Sequence, residues 1–293
     1  MKSNKKGPSL ANIKTVVIVY RPESPAALKF SSDVTTWLQK NKLTVWSHPD
    51  QKIPEVPKLK MSQLAKVDLV VVLGGDGTYL QAVQMLGQHN APILGANMGS
   101  LGFLTDIRKE DIFLALDLTI KNQMELLPRA MIDVKIKRAG KIVIESRALN
   151  DVVIERGPFS HLINLSIFSQ NHLVNEVKAD GLVISTPTGS TAYNLAAGGP
   201  ILHPEVKSVV VTPICPHALT NRPIIFPDDQ TLTFKISNKK QRAFLAVDGR
   251  NAGDLRANDE VMISRSQCDR WMIKKPSVNY FDLLREKLKF GER

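Results

Sequence analysis

The sequence predicts an α/β N-terminal domain, a β-rich C-terminal domain and a final helix. In residues 1–127, short apolar runs of strand length alternate with segments of helical spacing, which is typical of a parallel α/β sheet. In residues 128–276, apolar and polar residues alternate with period two, which is typical of half-buried strands. In residues 277–293, Phe281, Leu284 and Leu288 can share one face of a helix, which we expect to return to the first domain.

The elements of the first domain follow from the lengths and spacing of its apolar residues. Residues 1–14 carry four lysines and no acid, so we expect a loose tail there. Beyond the tail, each apolar run of four to six residues is assigned as a strand and each segment with apolar residues three or four apart as a helix. The predicted strands are 15–20, 43–47, 68–73 and 92–96, and the predicted helices are 25–40 and 78–86.

In the second domain, strand-like segments follow one another from "AMIDVKIKRAG" to "RWMIKK". Gly140, in "KRAGK", fits the turn of a hairpin. The stretch "STAYNLAAGG" is the one helical segment predicted inside this domain, and its two final glycines fit a helix end.

Composition narrows the class of protein. With 43% hydrophobic residues a packed core is expected, and the two cysteines suggest neither a disulfide framework nor a zinc site. No run approaches the roughly 18 apolar residues of a membrane span, and no signal peptide is evident, so the sequence predicts a cytoplasmic protein with no membrane partner. The net charge of +11 fits either a lysine-rich surface or attraction of anions. Without a nucleic-acid-binding motif, a nucleotide is a better candidate ligand than nucleic acid.

The first candidate site follows the apolar run Leu69–Leu73, which ends in Gly74, Gly75, Asp76 and Gly77. Glycines let a ligand approach the main chain, and backbone N–H groups ahead of a helix bind phosphate. A carboxylate in such a turn suits a proton-transfer task beside a triphosphate, or magnesium binding. The alternative is a tight turn in which Asp76 caps the next helix.

A second candidate site follows the apolar residues 182–184. Residues 185–191, "STPTGST", place five hydroxyl groups ahead of a helix predicted at 192–197. Hydroxyls there cap a helix or bind phosphate and ribose, and Tyr193 offers a flat ring and a hydroxyl. The alternative is an ordinary capped helix. Asp180 and the Asn150–Asp151 pair add carboxylates nearby in sequence, although each dipeptide alone is typical of a turn or a surface.

Taken together, these motifs identify a resemblance to the NAD kinases over nearly the whole chain. A bare GGDG also occurs in diacylglycerol and sphingosine kinases and, in a similar form, in phosphofructokinases, whereas the long hydroxyl-rich motif is far more specific. The resemblance rests on "GGDGTYL", "ILGANMGSLGFLTD", "ALNDVVIERG", "DGLVISTPTGSTAYNLAAGGPIL" and "NYFDLLREKLKF".

The resemblance implies transfer of the γ-phosphoryl group of ATP to the 2′-hydroxyl of the adenosine ribose of NAD, giving NADP. It implies a β-sandwich-like second domain, a cleft site, a divalent cation such as magnesium, and a homo-oligomer, often a tetramer. Asp76 matches the family's proton acceptor, and the glycines would let its carboxylate and the donor phosphates share one small space. No metal-binding side chains are assigned.

The resemblance also assigns substrate-binding residues by motif. Asp76 and Gly77 would contact NAD, and Gly74, Gly75 and Gly77 would lie at the donor phosphates. Asn150 and Asp151 match the pair that grips the adenosine or nicotinamide end, with an Asp in place of the longer Glu common in the family. The remaining matches are Asp180 on the nicotinamide riboside side, Lys178 where an arginine is common, and His161, Thr191, Ala192, Tyr193, Asn194, Leu195, Ala196 and Arg250.

Three alternatives stay open on the sequence alone. A lipid kinase shares GGDG but does not account for the second motif. A 6-phosphofructokinase would need several arginines for a sugar phosphate, and none can be placed. A non-catalytic nucleotide sensor or a basic nucleic-acid-binding protein fits the charge, but the sensor does not require Asp76.

Overall fold

The computed structural model describes residues 7–157, 161–236, 241–276 and 279–289. The chain divides into two compact units, with boundaries between Pro128 and Arg129 and between Asp269 and Arg270, and the C-terminal segment belongs to the first unit. In the described residues, no helix combines the length and the apolar character needed to cross a membrane.

The first unit is an α/β unit around one sheet. Its strand order is β2-β1-β3-β4-β19-β6, with β5 paired to β4. The pairings of β1 with β2 and β3, and of β4 with β3, β5 and β19, are all parallel. The strands are β1 Thr15–Tyr20, β2 Thr44–Ser47, β3 Leu69–Leu73, β4 Ile93–Asn97, β5 Ile107–Arg108, β6 Glu125–Arg129 and β19 Arg270–Lys274, and the helices are α1 Pro25–Lys40, α2 Asp76–Leu86, α3 Ile112–Ile120 and α5 Tyr280–Leu288.

Local chemistry explains where these elements begin. In α1 the Ser24 side chain accepts a hydrogen bond from the Ala27 N–H, and Pro25 occupies the first turn, where its missing N–H is not needed. All five residues of β3 are buried, as its continuous apolar run predicts. The predicted α/β class of the first domain is therefore confirmed.

The second unit contains two antiparallel sheets of six strands each among its described residues. Their orders are β11-β10-β15-β18-β7-β8 and β14-β13-β12-β9-β16-β17. Buried side chains of both sheets form one core, so the predicted β-rich fold is confirmed. The strands are β7 Ile132–Arg138, β8 Lys141–Ala148, β9 Asp151–Arg156, β10 Ile163–Ser169, β11 His172–Ala179, β12 Gly181–Ser185, β13 Ser208–Ile214, β14 Ile224–Pro227, β15 Leu232–Ile236, β16 Ala243–Val247, β17 Arg250–Leu255 and β18 Glu260–Arg265, and the α-helix in the described part of this unit is α4 Tyr193–Ala196.

The structure differs from the sequence-based expectations in four places. β19 was expected in the second domain, yet it pairs with β4, so the boundary lies at residue 269 and not at 276. Residues 1–6 lie outside the described residues, but Leu10 and Ile13 are buried in the first core, so residues 7–14 are not a loose tail. The helix expected at 78–86 begins at Asp76. In α5 the buried residues are Leu283 and Leu284, and Phe281 is exposed.

Candidate active site

The glycine-rich turn joins the buried strand β3 to helix α2. The Gly74 N–H donates to the Ala96 carbonyl at 3.0 Å, which extends the sheet by one bond. A Cβ on Gly74 would lie 2.3 Å from the Thr78 hydroxyl, whereas Gly75 and Gly77 face open space. Gly75 is the residue ahead of α2, and Asp76 is the first residue of the helix. Asp76 is therefore not the helix cap, which was the structural alternative for this motif.

The Asp76 carboxylate accepts four hydrogen bonds from the loop that follows β4. Oδ2 accepts the Phe103 N–H at 2.9 Å, and Oδ1 accepts the Leu104 and Thr105 N–H groups at 3.0 and 3.2 Å and the Thr105 hydroxyl at 3.2 Å. A Cβ on Gly102 would lie 2.1 Å from Oδ1, so only glycine fits there. The carboxylate is thus fixed in one orientation. Its hydrogen bonds to this loop were not predicted from the sequence.

In the second unit, the hydroxyl-rich motif makes hydrogen bonds to the segment that leads into β9. Thr186 Oγ1 donates to the Leu149 carbonyl at 2.5 Å, and Ser185 Oγ donates to the Asn150 carbonyl at 3.2 Å. Gly189 packs so closely that a Cβ would lie 2.1 Å from that Asn150 carbonyl. The motif therefore fixes the segment that carries Asn150 and Asp151. Of its hydroxyls, Thr188 Oγ1 is buried and has no hydrogen-bond partner among the described residues.

Asn194 has a different task from the predicted contact with NAD. Its side chain is fully buried. The amide donates to the carbonyls of Ser190 and Pro200, both at 3.0 Å, and its oxygen accepts the Thr212 hydroxyl at 2.6 Å. Both N–H donors are used inside the fold, so we correct this assignment: the Asn194 side chain holds the short helix α4 in place.

Asn150 and Asp151 lie at the start of β9, next to that motif. Asn150 is 9% exposed, and its side-chain amide makes no hydrogen bond within the described part of the chain. Burial, followed by the negative charge of Asp248, raises the pKa of Asp151 to about 7, and a hydrogen bond from the Tyr193 backbone N–H partly opposes this. Asp151 therefore changes its protonation state near neutral pH.

Asp180 and Tyr193 share a pocket of about 260 Å³. Arg156, which sequence analysis missed, pairs with Asp180 at 2.5 Å between Nε and Oδ1. Burial and then the charge of Glu155 raise the pKa of the Tyr193 hydroxyl, with smaller contributions from Cys215, Asp151 and Asp180. Tyr193 therefore lines the pocket that contains Asp180, and its backbone N–H donates a hydrogen bond to Asp151.

The remaining predicted residues lie on strands of the second unit, on α4 or in the segments next to them. His161 is exposed ahead of β10, and Lys178 is exposed on β11. Arg250 is exposed at the start of β17, and its charge acts on Asp248. Thr191, Ala192, Leu195 and Ala196 lie along the junction and α4, half-buried or exposed.

A larger cavity of about 430 Å³ lies in the first unit and contains none of the predicted site residues. Residues 97–101, residues 108–110 of β5 and the turn after it, and Glu286 and Lys287 of α5 line this cavity. Two of its three cations are already engaged, because Arg108 pairs with Glu286 at 3.1 Å and Lys109 lies 4.9 Å from the centre of the Phe30 ring. The carboxylates of Glu110 and Glu286 offset two of these three positive charges, which leaves little net charge for an anion.

The buried Asp151 carboxyl group makes the free energy of unfolding depend on pH. Its pKa rises from the ordinary 3.8 to about 7 on folding, so between these values the folded state holds a proton that the unfolded state has released. The stabilisation is present in full below about pH 4 and is lost as the pH rises through about 7. At 1.4 kcal/mol per pKa unit the loss is at most about 4 kcal/mol.

Thermal midpoints of the wild type and of Asp151→Asn, compared at pH 5.5 and pH 8, test this. The wild type is expected to lose several degrees more than the variant between the two values, because Asn cannot become charged. Asp254→Asn, on the exposed side of β17, serves as the control and is expected to follow the wild type. An equal pH dependence in the wild type and in Asp151→Asn would contradict the assignment.

Models of two family domains match the chain in order. The ATP-NAD kinase N-terminal domain matches residues 16–124, and the ATP-NAD kinase C-terminal domain matches residues 149–274. Among curated relatives, the NAD kinase of Bdellovibrio bacteriovorus is 49% identical over 95% of this chain and 93% of its own length. The NAD kinase of Geotalea daltonii is 38% identical over 96% of this chain and 100% of its own length.

Two solved structures are similar over most of the chain. The yeast NADH kinase in complex with NADH is 28% identical, with a TM-score of 0.89 over 96% of this chain and 89% of its own. An NAD kinase from Archaeoglobus fulgidus in complex with ATP is 20% identical, with a TM-score of 0.74 over 94% of this chain and 100% of its own. At 20% identity the second likeness supports the fold alone.

Proposed function

The chain belongs to the NAD kinase family, and we propose that it transfers the γ-phosphoryl group of ATP to the 2′-hydroxyl of the adenosine ribose of NAD, giving NADP. In this reaction a bond forms between the ribose oxygen and the γ-phosphorus, and the bond to the β,γ-bridging oxygen breaks to release ADP. The hydroxyl proton moves to a base on the protein.

We assign Asp76 as that base. The supporting observation is the fixed carboxylate at the first residue of α2, directly beyond the carboxyl end of a buried parallel strand. Oδ1 accepts three hydrogen bonds and Oδ2 accepts one, so Oδ2 keeps more capacity for a further contact. Oδ2 is therefore the oxygen that accepts the proton in our proposal.

The donor phosphates are assigned to the amides of Gly75 and Gly77. These N–H groups make no hydrogen bond within the described residues and lie at the N-terminus of α2, which favours anions. Gly74 was also expected at the phosphates, but its N–H is already bonded to Ala96, so we exclude that amide.

The donor is proposed to be the magnesium complex of ATP. No group of three His, Cys, Asp or Glu side chains in the described residues is placed to hold a metal ion. Magnesium keeps several waters and often takes phosphate oxygens as ligands, so the ion would arrive with the triphosphate and offset its charge.

Residues of the second unit are proposed to bind NAD. The Asn150 side-chain amide has no hydrogen-bond partner among the described residues. Together with the Asp151 carboxyl group, it suits hydrogen bonds to adenine or to amide groups. Tyr193, 43% exposed, offers a ring for stacking, and Asp180 offers a carboxylate to ribose hydroxyls. Lesser contacts are proposed for Gly77, His161, Lys178, Thr191, Ala192, Leu195, Ala196 and Arg250.

ADP release with different acceptors tests this function against its rivals. Purified protein with magnesium and ATP is expected to release ADP when NAD is added, and not with diacylglycerol, sphingosine or fructose 6-phosphate. ADP release with a lipid or sugar phosphate but not with NAD or NADH would overturn the proposal. If no acceptor is phosphorylated, whether ATP, another nucleoside triphosphate or polyphosphate is the donor, the result would favour a nucleotide sensor.

We also propose a homo-oligomer, of the tetrameric kind that the resemblance implies. Exposed apolar residues on the edge strands β8, β11 and β14 support self-association, among them Ile142, Leu173 and Ile225. The monomer mass is 32.5 kDa, so light scattering of the purified chain measures the oligomeric state directly. A monomer at micromolar concentration would contradict the proposed homo-oligomer.

A further inference from the structure

Asp248 lies in a hairpin turn, yet its side chain is buried. It is the first residue of the two-residue turn between β16 and β17. Asp248 and Gly249 both have positive φ, 47° and 75°, as a type I′ turn requires. Turn residues of this kind are usually exposed, but Asp248 is only 7% exposed. The turn therefore carries a carboxylate into the protein rather than toward solvent.

The Asp248 carboxylate accepts hydrogen bonds from three consecutive backbone N–H groups. Oδ2 accepts the Leu149 N–H at 2.9 Å, and Oδ1 accepts those of Asn150 at 2.8 Å and Asp151 at 3.2 Å. The Asp248 N–H in turn donates to the Asp151 carbonyl at 3.0 Å. Successive N–H groups that converge in this way form a concave anion site, and Asp248 fills it.

The carbonyl side of the same segment is held by the hydroxyl-rich motif. Thr186 bonds both to Leu149, through its hydroxyl, and to the Asn150 carbonyl, through its N–H at 2.9 Å. The main-chain groups of residues 149–151 are thus bonded on both sides. As far as the described residues show, the polar groups of this segment left to face a ligand are the side chains of Asn150 and Asp151.

From these contacts we propose that Asp248 is a positioning residue for NAD: it acts through the 149–151 segment and sets the orientation of the Asn150 and Asp151 side chains. The proposal rests on the proposed function, in which this pair binds NAD. In the sequence, the neighbouring Arg250 is a candidate site residue, whereas the Asp-Gly dipeptide of Asp248 predicts only a turn.

The electrostatics of the segment support a functional reason for this arrangement. Burial raises the pKa of Asp248, and the three N–H groups and Arg250 oppose the shift. Its charge also raises the pKa of Asp151, so two carboxyl groups are kept close at an energetic cost. A hairpin turn needs no such carboxylate for its own geometry. Among the described residues, Asp248, from the β16–β17 turn, is the group whose charge shifts the pKa of Asp151, and on the side of α4 the Tyr193 backbone N–H donates a hydrogen bond to Asp151. The charge of Asp151 in turn raises the pKa of the Tyr193 hydroxyl.

Equilibrium binding of NAD, measured without ATP, and steady-state kinetics test the proposal. Asp248→Asn and Asp248→Ala are expected to weaken NAD binding and raise KM for NAD by roughly 10- to 100-fold, with KM for ATP within about twofold of the wild type. The inflection in a plot of NAD affinity against pH is expected to move to lower pH in Asp248→Asn, because Asp151 loses a neighbouring negative charge.

Asp259→Asn is the matched structural control. Asp259 is also buried, and its carboxylate accepts from Arg138 Nε at 2.9 Å and from the Arg256 N–H at 2.8 Å, away from residues 149–151. This variant is expected to lower the thermal midpoint and to leave NAD affinity unchanged. If both Asp248 variants fail to fold, Thr186→Val, which releases the same segment from its other side, is expected to weaken NAD binding in the same way.

The possible outcomes distinguish a failure of the Asp248 positioning role from a failure of the proposed function. Wild-type NAD affinity in a folded Asp248 variant, or in Thr186→Val when neither Asp248 variant folds, would overturn the positioning role and leave the kinase function standing. An equal loss of NAD affinity in Asp259→Asn would reduce the Asp248 effect to general destabilisation and would also overturn the proposal. A wild-type protein that neither binds nor phosphorylates NAD would overturn the proposed function and this inference together.

Discussion

Asp76→Asn is expected to lower kcat by about 100- to 10,000-fold, the usual contribution of a positioned base, with little change in the dissociation constant for NAD. An amide cannot accept the proton of the 2′-hydroxyl at neutral pH. The amide oxygen can still accept the bonds from Leu104 and Thr105, whereas its NH₂ group would face the Phe103 N–H. We therefore expect the loop to lose one hydrogen bond and the fold to survive.

Because Asp76 also holds this loop, the test needs a variant that loosens the loop and keeps the carboxylate. Thr105→Val is suitable, since it removes the hydroxyl that donates to Asp76 and accepts from the Asn97 amide at 3.0 Å. Its kcat is expected to fall less than tenfold, although removing one partner of a buried hydrogen bond costs about 1–3 kcal/mol of stability. Near-wild-type kcat in a folded Asp76→Asn protein would rule out Asp76 as the base. Equal losses in both variants would make Asp76 a loop anchor only.

Gly102→Ala is expected to lower kcat by about 100-fold while leaving the Asp76 carboxylate chemically intact. The new Cβ would lie 2.1 Å from Asp76 Oδ1 and 2.4 Å from the Thr105 hydroxyl, so the carboxylate or the loop must move. A displacement of about 1 Å at a reacting group can reduce a rate by that factor. Initial rates at saturating NAD and ATP measure the effect.

The same loop supplies the control for this prediction. Gly99→Ala places its Cβ no closer than 3.8 Å to any described neighbour, an ordinary contact, so its kcat is expected to match the wild type. If both alanine variants kept wild-type kcat, the orientation of Asp76 would not matter for the rate. If both lost activity equally, loop flexibility rather than carboxylate placement would explain the loss.

Much of the fold was predictable because its signals are local. The continuous apolar run of β3 and the period-two alternation of β7 each bury the residues that the pattern indicates. Ser24 and Pro25 mark the start of α1 in the sequence itself. The position of β19 was not predictable in this way, since nothing in "RWMIKK" says which sheet the strand will join.

For the candidate site, sequence motifs pointed to candidate residues but not to the groups that these residues contact in the fold. Asp76 stood out among glycines, yet its bonds to residues 103–105 depend on how the loop after β4 folds back. Asp248 is 97 residues from Asp151 in the chain, and only the pairing of β9 with β16 brings them together. Asn194, conversely, lies in a conspicuous motif, but its side-chain amide donates hydrogen bonds to carbonyls within the fold.

The most direct test of the account is the identity of the phosphorylated product. Purified protein is incubated with NAD, ATP and magnesium, and the product is read by an NADP-specific dehydrogenase alongside ADP release. We expect NADP and ADP in equal amounts, with NADP formation nearly absent in Asp76→Asn. ADP release without a product that the dehydrogenase accepts would contradict transfer to the 2′-hydroxyl, and undiminished NADP formation by Asp76→Asn would contradict the role of Asp76.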